Sequence, residues 1–192
     1  MSAFRHETAR LLLRDWREDD WDEFWRLTNT PEVMRWLGGV MDDAGIAKAR
    51  GRLESYRREY GHTLWLAERK ADGGHLAGEM IGFCGLKRSN QDGGPQGDCE
   101  VGWRLRRDAW GHGYAKEAAQ ASLDIAFERF DAPHVLALTV DGNAASWGLM
   151  QRLGMERRAD LDFNNADFDP ETGRIIVYRI DRQRWLQGKG AA

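Results

Sequence analysis

Glu100-Val101-Gly102-Trp103-Arg104-Leu105, then Arg106-Arg107-Asp108-Ala109-Trp110, then Gly111-His112-Gly113-Tyr114-Ala115-Lys116-Glu117-Ala118, is the stretch that decides the fold. A strand ends, a short loop follows, and two glycines open a helix that should reach about Arg129. A helix N-terminus leaves four backbone N–H groups unpaired and carries about half a positive charge. Glycines there let a phosphate approach the backbone without a Cβ in the way. Taken alone, a glycine-rich turn that only redirects the chain explains the pattern equally well. Two familiar phosphate loops are excluded. A P-loop needs Lys-Ser/Thr after its last glycine, where Tyr114-Ala115 stand, and a dinucleotide fingerprint needs Gly or Ala at Lys116.

Working outward, the stretches 63–70, 79–88 and 99–107 alternate or run apolar between Gly/Asp-rich turns at 71–75 and 89–98. That pattern predicts an antiparallel meander. Upstream, 9–14 carries three leucines and predicts a buried strand. Asp19 or Asp20 should cap a helix with Trp21, Phe24, Trp25 and Thr28 on one side, and Thr30-Pro31 should start a short second helix through Val33, Trp36 and Leu37. A third helix is expected from Asp43, with Ile46, Leu53, Tyr56 and Tyr60 along one side. Downstream, 134–140 predicts a strand, 144–153 a helix and 174–179 a last strand. The helix after Gly113 is small along Ala115, Ala118, Ala119 and Ser122, so it can pack closely on a sheet. The order implies an α+β fold, a mixed and mostly antiparallel sheet with helices on both faces, in one domain spanning 1–192.

Composition narrows the function. The 192 residues are 42% hydrophobic and 31% charged, with a net charge of -3, so no basic footprint invites nucleic acid. No apolar run approaches a membrane span. Two cysteines make no disulfide framework, and a cytoplasmic chain is expected. The five histidines show no metal-ligand spacing, so no metal is expected.

A second informative piece is Asp141-Gly142-Asn143-Ala144-Ala145-Ser146, at the end of the 134–140 strand, with Arg152-Leu153-Gly154-Met155 closing the next helix. Asn143 and Ser146 are at N-cap spacing, and the same groups can hydrogen-bond an amide-rich ligand or serve a leaving sulfur. Together the two pieces, in this order and spacing, resemble the GCN5-related N-acetyltransferase (GNAT) family over about 8–186. The branch they most resemble is that of the ribosomal-protein N-terminal acetyltransferases.

The resemblance implies a splayed sheet with acetyl-CoA as cosubstrate in the opening between 99–107 and 134–140. It implies that the pantetheine arm pairs with the backbone of Val101, Trp103 and Leu105. The pyrophosphate would sit on the N–H groups of Trp110, Gly111, His112, Gly113, Tyr114 and Ala115, with Asn143 meeting the arm from the other side. Many family members place at Met150 a tyrosine that protonates the departing thiolate. Methionine has no proton to give, which leaves Ser146 or a water near Asn143 as the acid.

For the base, Glu100 and Asp98 are candidates. Against them stand a salt bridge from Glu100 to Arg88 or Arg104, and a solvated turn for Asp98. The segment 160–171, with Asp160, Asp162, Asp167, Asp169 and Glu171 among aromatics, is either a solvated loop or an acidic wall for a cationic amine. The function expected is acetyl transfer to a primary amine, either a protein or peptide N-terminus or a small amine, by a monomer or homodimer. A non-catalytic acyl-CoA sensor is the alternative from another class.

Overall fold

The computed structural model describes residues 3–165 and 174–190. Among these, the elements in chain order are β1 (Arg5–Glu7), β2 (Leu11–Arg14), α1 (Asp20–Thr28), α2 (Pro31–Met34), α3 (Asp43–Tyr60), β3 (Leu64–Arg69) and β4 (Met80–Asn90). Then follow β5 (Gln96–Leu105), α4 (Tyr114–Glu128), β6 (His134–Val140), α5 (Ala144–Arg152), β7 (Glu156–Arg157), β8 (Phe163–Asn164), β9 (Arg174–Asp181) and α6 (Arg182–Gly190). The strands form one sheet in the order β1-β2-β3-β4-β5-β6-β9-β7, with β8 also pairing β9. Every pairing is antiparallel except β5 with β6. The predicted α+β class and meander are therefore present.

Helices cover both faces because the strands are apolar on both. On one face α4 lays Ala118, Ala119 and Ser122, all fully buried, against Val101, Val135 and Ala137 of the sheet. Small residues allow that approach, and Leu149 and Met150 of α5 and Trp185 of α6 complete this main core. On the other face, Trp21, Phe24 and Trp25 of α1 and Leu53 of α3 pack on Leu64, Leu66 and Met80. The tryptophans concentrated early in the chain are mostly here, with Trp16 stacked on Trp21 at 4.1 Å.

Local signals explain most helix ends. Asp42 accepts from the Gly45 N–H at 2.8 Å to start α3, and Gly61 stops it with a left-handed φ of 71°. Thr30 caps α2 as expected, though that helix stops at Met34 rather than continuing through Leu37. The start of α1 differs from expectation. Asp19 makes no capping bond, and Asp20 turns inward to accept from Arg14 Nη1 and Nη2 at 2.7 and 2.8 Å. A buried guanidinium needs a carboxylate more than a helix end needs a cap.

Candidate active site

β5 is paired along one edge to β4, from Gly82 opposite Leu105 to Arg88 opposite Cys99 and on to Asn90 opposite Gln96. Along its other edge the described residues show a single register pair with β6, Glu100 opposite Leu136. The two strands are parallel, so beyond that pair they part, and their C-terminal ends flank the same opening. A strand edge left unpaired carries free N–H and C=O groups and accepts an extended ligand as an added strand. Val101, Trp103 and Leu105 lie along this edge with their side chains in or against the main core, so their backbone is what they can offer. The Leu105 carbonyl already accepts from Trp110 Nε1 at 2.9 Å.

The loop after β5 forms a cradle. Gly111 and Gly113 have φ of 81° and 80°, a left-handed backbone that favours glycine. A Cβ at Gly111 would meet nothing within 4 Å, so the space over the loop is open. The N–H of Glu117 is the first to pair within α4, on Gly113 O at 3.1 Å, which leaves Tyr114, Ala115 and Lys116 as unpaired donors of the first turn. Gly111, His112 and Gly113 likewise find no backbone acceptor among the described residues. The N–H groups of Gly111 to Ala115 fit a pyrophosphate. Trp110 is a correction to the expected set. Its backbone N–H is spent on Arg107 O at 3.3 Å, and its exposed indole donates to the Leu105 carbonyl.

Residues that the motif did not single out for the site hold this cradle. The Glu117 carboxylate accepts from Thr8 Oγ1 at 2.6 Å and from Arg10 N and Nε, both at 2.7 Å. Burial opposes the charge, but these donors hold the Glu117 carboxyl below its ordinary range. Arg10 so placed donates to His112 O at 3.0 Å. The His112 ring stacks on His75 at 3.8 Å. Arg10 and His75 lie far from the loop in sequence, and no local signal marks them.

Across the opening, Asn143 Oδ1 accepts from the Ser146 N–H at 3.3 Å, so Asn143 is the N-cap of α5. The Ser146 hydroxyl takes no part in that cap. Trp36, from the loop after α2, presses on the same turn, where a Cβ on Gly142 would come within 2.9 Å of its ring. Met150 is fully buried in the main core. Ser146→Ala is expected to leave the melting temperature unchanged and lower turnover, with acetyl-CoA affinity intact. Asn143→Ala is expected to cost about 0.5–2 kcal/mol of stability as a lost cap. Melting curves and steady-state rates on both variants separate the roles, and normal turnover in Ser146→Ala removes Ser146 as the acid.

Glu100, Gly102 and Arg104 share the face opposite Val101 and Trp103, as strand alternation requires. Glu100 is buried, and its Oε2 accepts from Lys87 Nζ at 2.6 Å. Neither expected partner is used. Arg88 donates to Gly97 O, Arg104 lies among aromatic rings, and the register sets Lys87 opposite Glu100. Asp98 is not the solvated turn residue expected. It lies within β5 and meets His134 Nε2 at 2.9 Å across to β6. Asp160 and Asp162 are taken up by Arg158 and by Arg157 and Arg174, so they form no free acidic wall. Asp167, Asp169 and Glu171 lie outside the described residues. Among the described residues no group of His, Cys, Asp or Glu is placed to hold a metal.

Comparison with known proteins agrees with this geometry. Residues 10–156 match the family model described as an acetyltransferase (GNAT) domain. The chain is 33% identical over 149 residues to the uncharacterized protein YkkB of Bacillus subtilis, covering 77% of this chain and 83% of that one. It is 27% identical over 190 residues to the FsC-acetyl coenzyme A-N(2)-transacetylase of Aspergillus fumigatus, covering 94% and 77%. Its fold is similar to the crystal structure of an acetyltransferase from Agrobacterium tumefaciens, with a TM-score of 0.78, 25% identity and coverage of 95% and 96%. The splayed sheet, the amide cradle and the family match together make this chain an acetyl-CoA-dependent N-acetyltransferase, a member of the GNAT acetyltransferase family.

Proposed function

We propose that the acceptor is a small molecule with a primary amine. The observation that carries this reading is an open cleft of about 580 Å³ between Arg26, Leu27 and Thr30 at the end of α1 and Arg106, Arg107 and Asp108 after β5. The cleft is a broad groove open to solvent, with room for a small amine beside the end of β5. The relative named for transacetylation at an N(2) position supports it further. The reading extends to a cytoplasmic enzyme, for which the free thiols of Cys84 and Cys99 speak.

Acetyl-CoA supplies the thioester, and the chain supplies the rest. The N–H groups of Gly111 to Ala115 hold the pyrophosphate, while the free edge of β5 and Asn143 hold the arm. Backbone N–H groups near Trp103 stabilise the oxyanion. Glu100 takes the amine proton, and Ser146 gives one to the thiolate.

The test has two arms. Acetyl-CoA is expected to raise the melting temperature, since ligand at about 100 times Kd adds roughly 2.7 kcal/mol. No shift with any CoA derivative at millimolar concentration overturns cofactor binding. Mass spectrometry of mixed small amines and peptides incubated with acetyl-CoA then reads the acceptor. Acetylation of peptide N-termini alone favours the ribosomal-protein type of acceptor. Binding without any transfer favours a sensor.

A further inference from the structure

Arg104 carries a charge that the fold leaves unanswered. The residue is 6% exposed. Its Nη1 faces the thioether of Met34 at 3.2 Å, and its buried Nε has no hydrogen-bond partner among the described residues. Three rings surround the guanidinium carbon, Phe24 at 4.6 Å, Trp25 at 4.9 Å and Phe83 at 5.0 Å. Among the described residues no carboxylate pairs with it. Arg14, buried to the same degree, is gripped by both Asp20 and Glu68. Burial, with repulsion from Arg52, pulls the Arg104 guanidinium down to about 9, so it is still charged at neutral pH. The rings recover part of the cost of burying that charge, but a buried cation without an anion is strongly disfavoured. A second occupant would complete the site.

Its position says what that occupant is. Arg104 lies on the same face of β5 as Glu100, with Gly102 between them. A Cβ at Gly102 would meet only Leu64 Cδ2 within 4 Å, at 3.3 Å, so the strand surface between the two residues is thinly covered. Arg104 is enclosed by Phe24 and Trp25 of α1, Met34 at the end of α2 and Phe83 of β4, and the open cleft described above begins further along α1, at Arg26 and Leu27, and two residues further along the chain, at Arg106. A guanidinium fork matches a planar carboxylate with two parallel hydrogen bonds, and in a dry aromatic enclosure such a pair is strong.

We propose that Arg104 binds a carboxylate of the acceptor, so that the substrate is a small amine that also carries a carboxylate, held among Phe24, Trp25 and Phe83. This rests on the small-amine reading and narrows it. A neutral analogue leaves the guanidinium unanswered, which is how such a site rejects it.

The experiment uses matched acceptors: amino acids, their carboxamides, and the corresponding amines without the carboxylate. Each is assayed for kcat/KM with acetyl-CoA in the parent, Arg104→Met and Arg104→Lys. The parent is expected to prefer the acid over the carboxamide by at least tenfold. Arg104→Met is expected to abolish that preference, mainly through KM, while the acetyl-CoA thermal shift stays the same. Its own melting temperature should not fall, because apolar replacement of a buried unpaired charge is neutral or stabilising. Arg104→Lys should keep part of the preference. A parent that acetylates carboxamides and decarboxylated amines as well as acids overturns the proposal with no variant needed. So does a preference that survives in Arg104→Met. If acetyl-CoA binds but no small amine is acetylated, the small-amine reading itself falls, and this proposal with it.

Discussion

Glu100→Gln is expected to slow acetyl transfer about 10²–10⁴-fold at pH 7, the usual contribution of a positioned base. The substitution keeps shape and hydrogen bonding and removes basicity. Glu100 stands at the single register pair that joins β5 to β6, at the closed end of the opening proposed to receive the thioester. The deficit should shrink as pH rises towards the pKa of the acceptor, about 7.7–8.0 for an α-amine or 10.4 for a lysine-type amine. There the substrate loses its proton without help.

The ion pair with Lys87 supplies the rival explanation, a purely structural Glu100. Breaking a buried pair from one side typically costs about 3–5 kcal/mol, so a structural role predicts a lower melting temperature and a pH profile parallel to the parent. A double variant, Lys87→Met with Glu100→Gln, removes both charges and should recover stability but not rate. If Glu100→Gln alone keeps most of its activity at pH 7 across several acceptors, the base lies elsewhere. Asp98, hydrogen-bonded to His134, is then the next carboxylate to test.

Gly113→Val is expected to weaken acetyl-CoA binding by roughly two orders of magnitude. Loss of two charge-assisted N–H contacts at about 1.5 kcal/mol each amounts to that factor. A φ of 80° adds a cost to folding, because left-handed backbone disfavours a side chain by roughly 1–2 kcal/mol, and more for a branched one. The melting temperature should therefore drop as well, since the strain acts on the folded chain with or without ligand. Gly113→Asn, which tolerates this backbone better, should restore most of the stability while still hindering the phosphate. Titration calorimetry on both variants checks the expectation. Parent-like affinity in Gly113→Val would move the phosphate site off this loop.

Much of the fold was legible because it rests on local physics. Apolar alternation and apolar runs marked the β3–β5 meander, a run of small residues marked the buried side of α4, and the start of α3 at Asp43 with its apolar side was read from spacing. The cradle was legible for the same reason, since glycine at 111 and 113 is a backbone requirement written at the position itself. The short strands β1, β7 and β8 carry no such pattern. They form because longer neighbours offer them an edge, so their existence is a tertiary fact.

The site divides along the same line. The residue types at 100–118 and 143–146 determined that a helix N-terminus with free N–H groups lies beside a splayed strand, the arrangement on which the proposed cofactor site rests. Which N–H groups remain free, and that Trp110 is not among them, depended on how the turn at 107–109 closed. That Glu100 pairs with Lys87 rather than an arginine followed from strand register, which a one-residue slip would have reversed. That Arg104 lies buried with no carboxylate partner among the described residues followed from where α1 settles its aromatic side chains. Spacing along a chain states which groups can share a face, but only packing decides which charge is left without a partner.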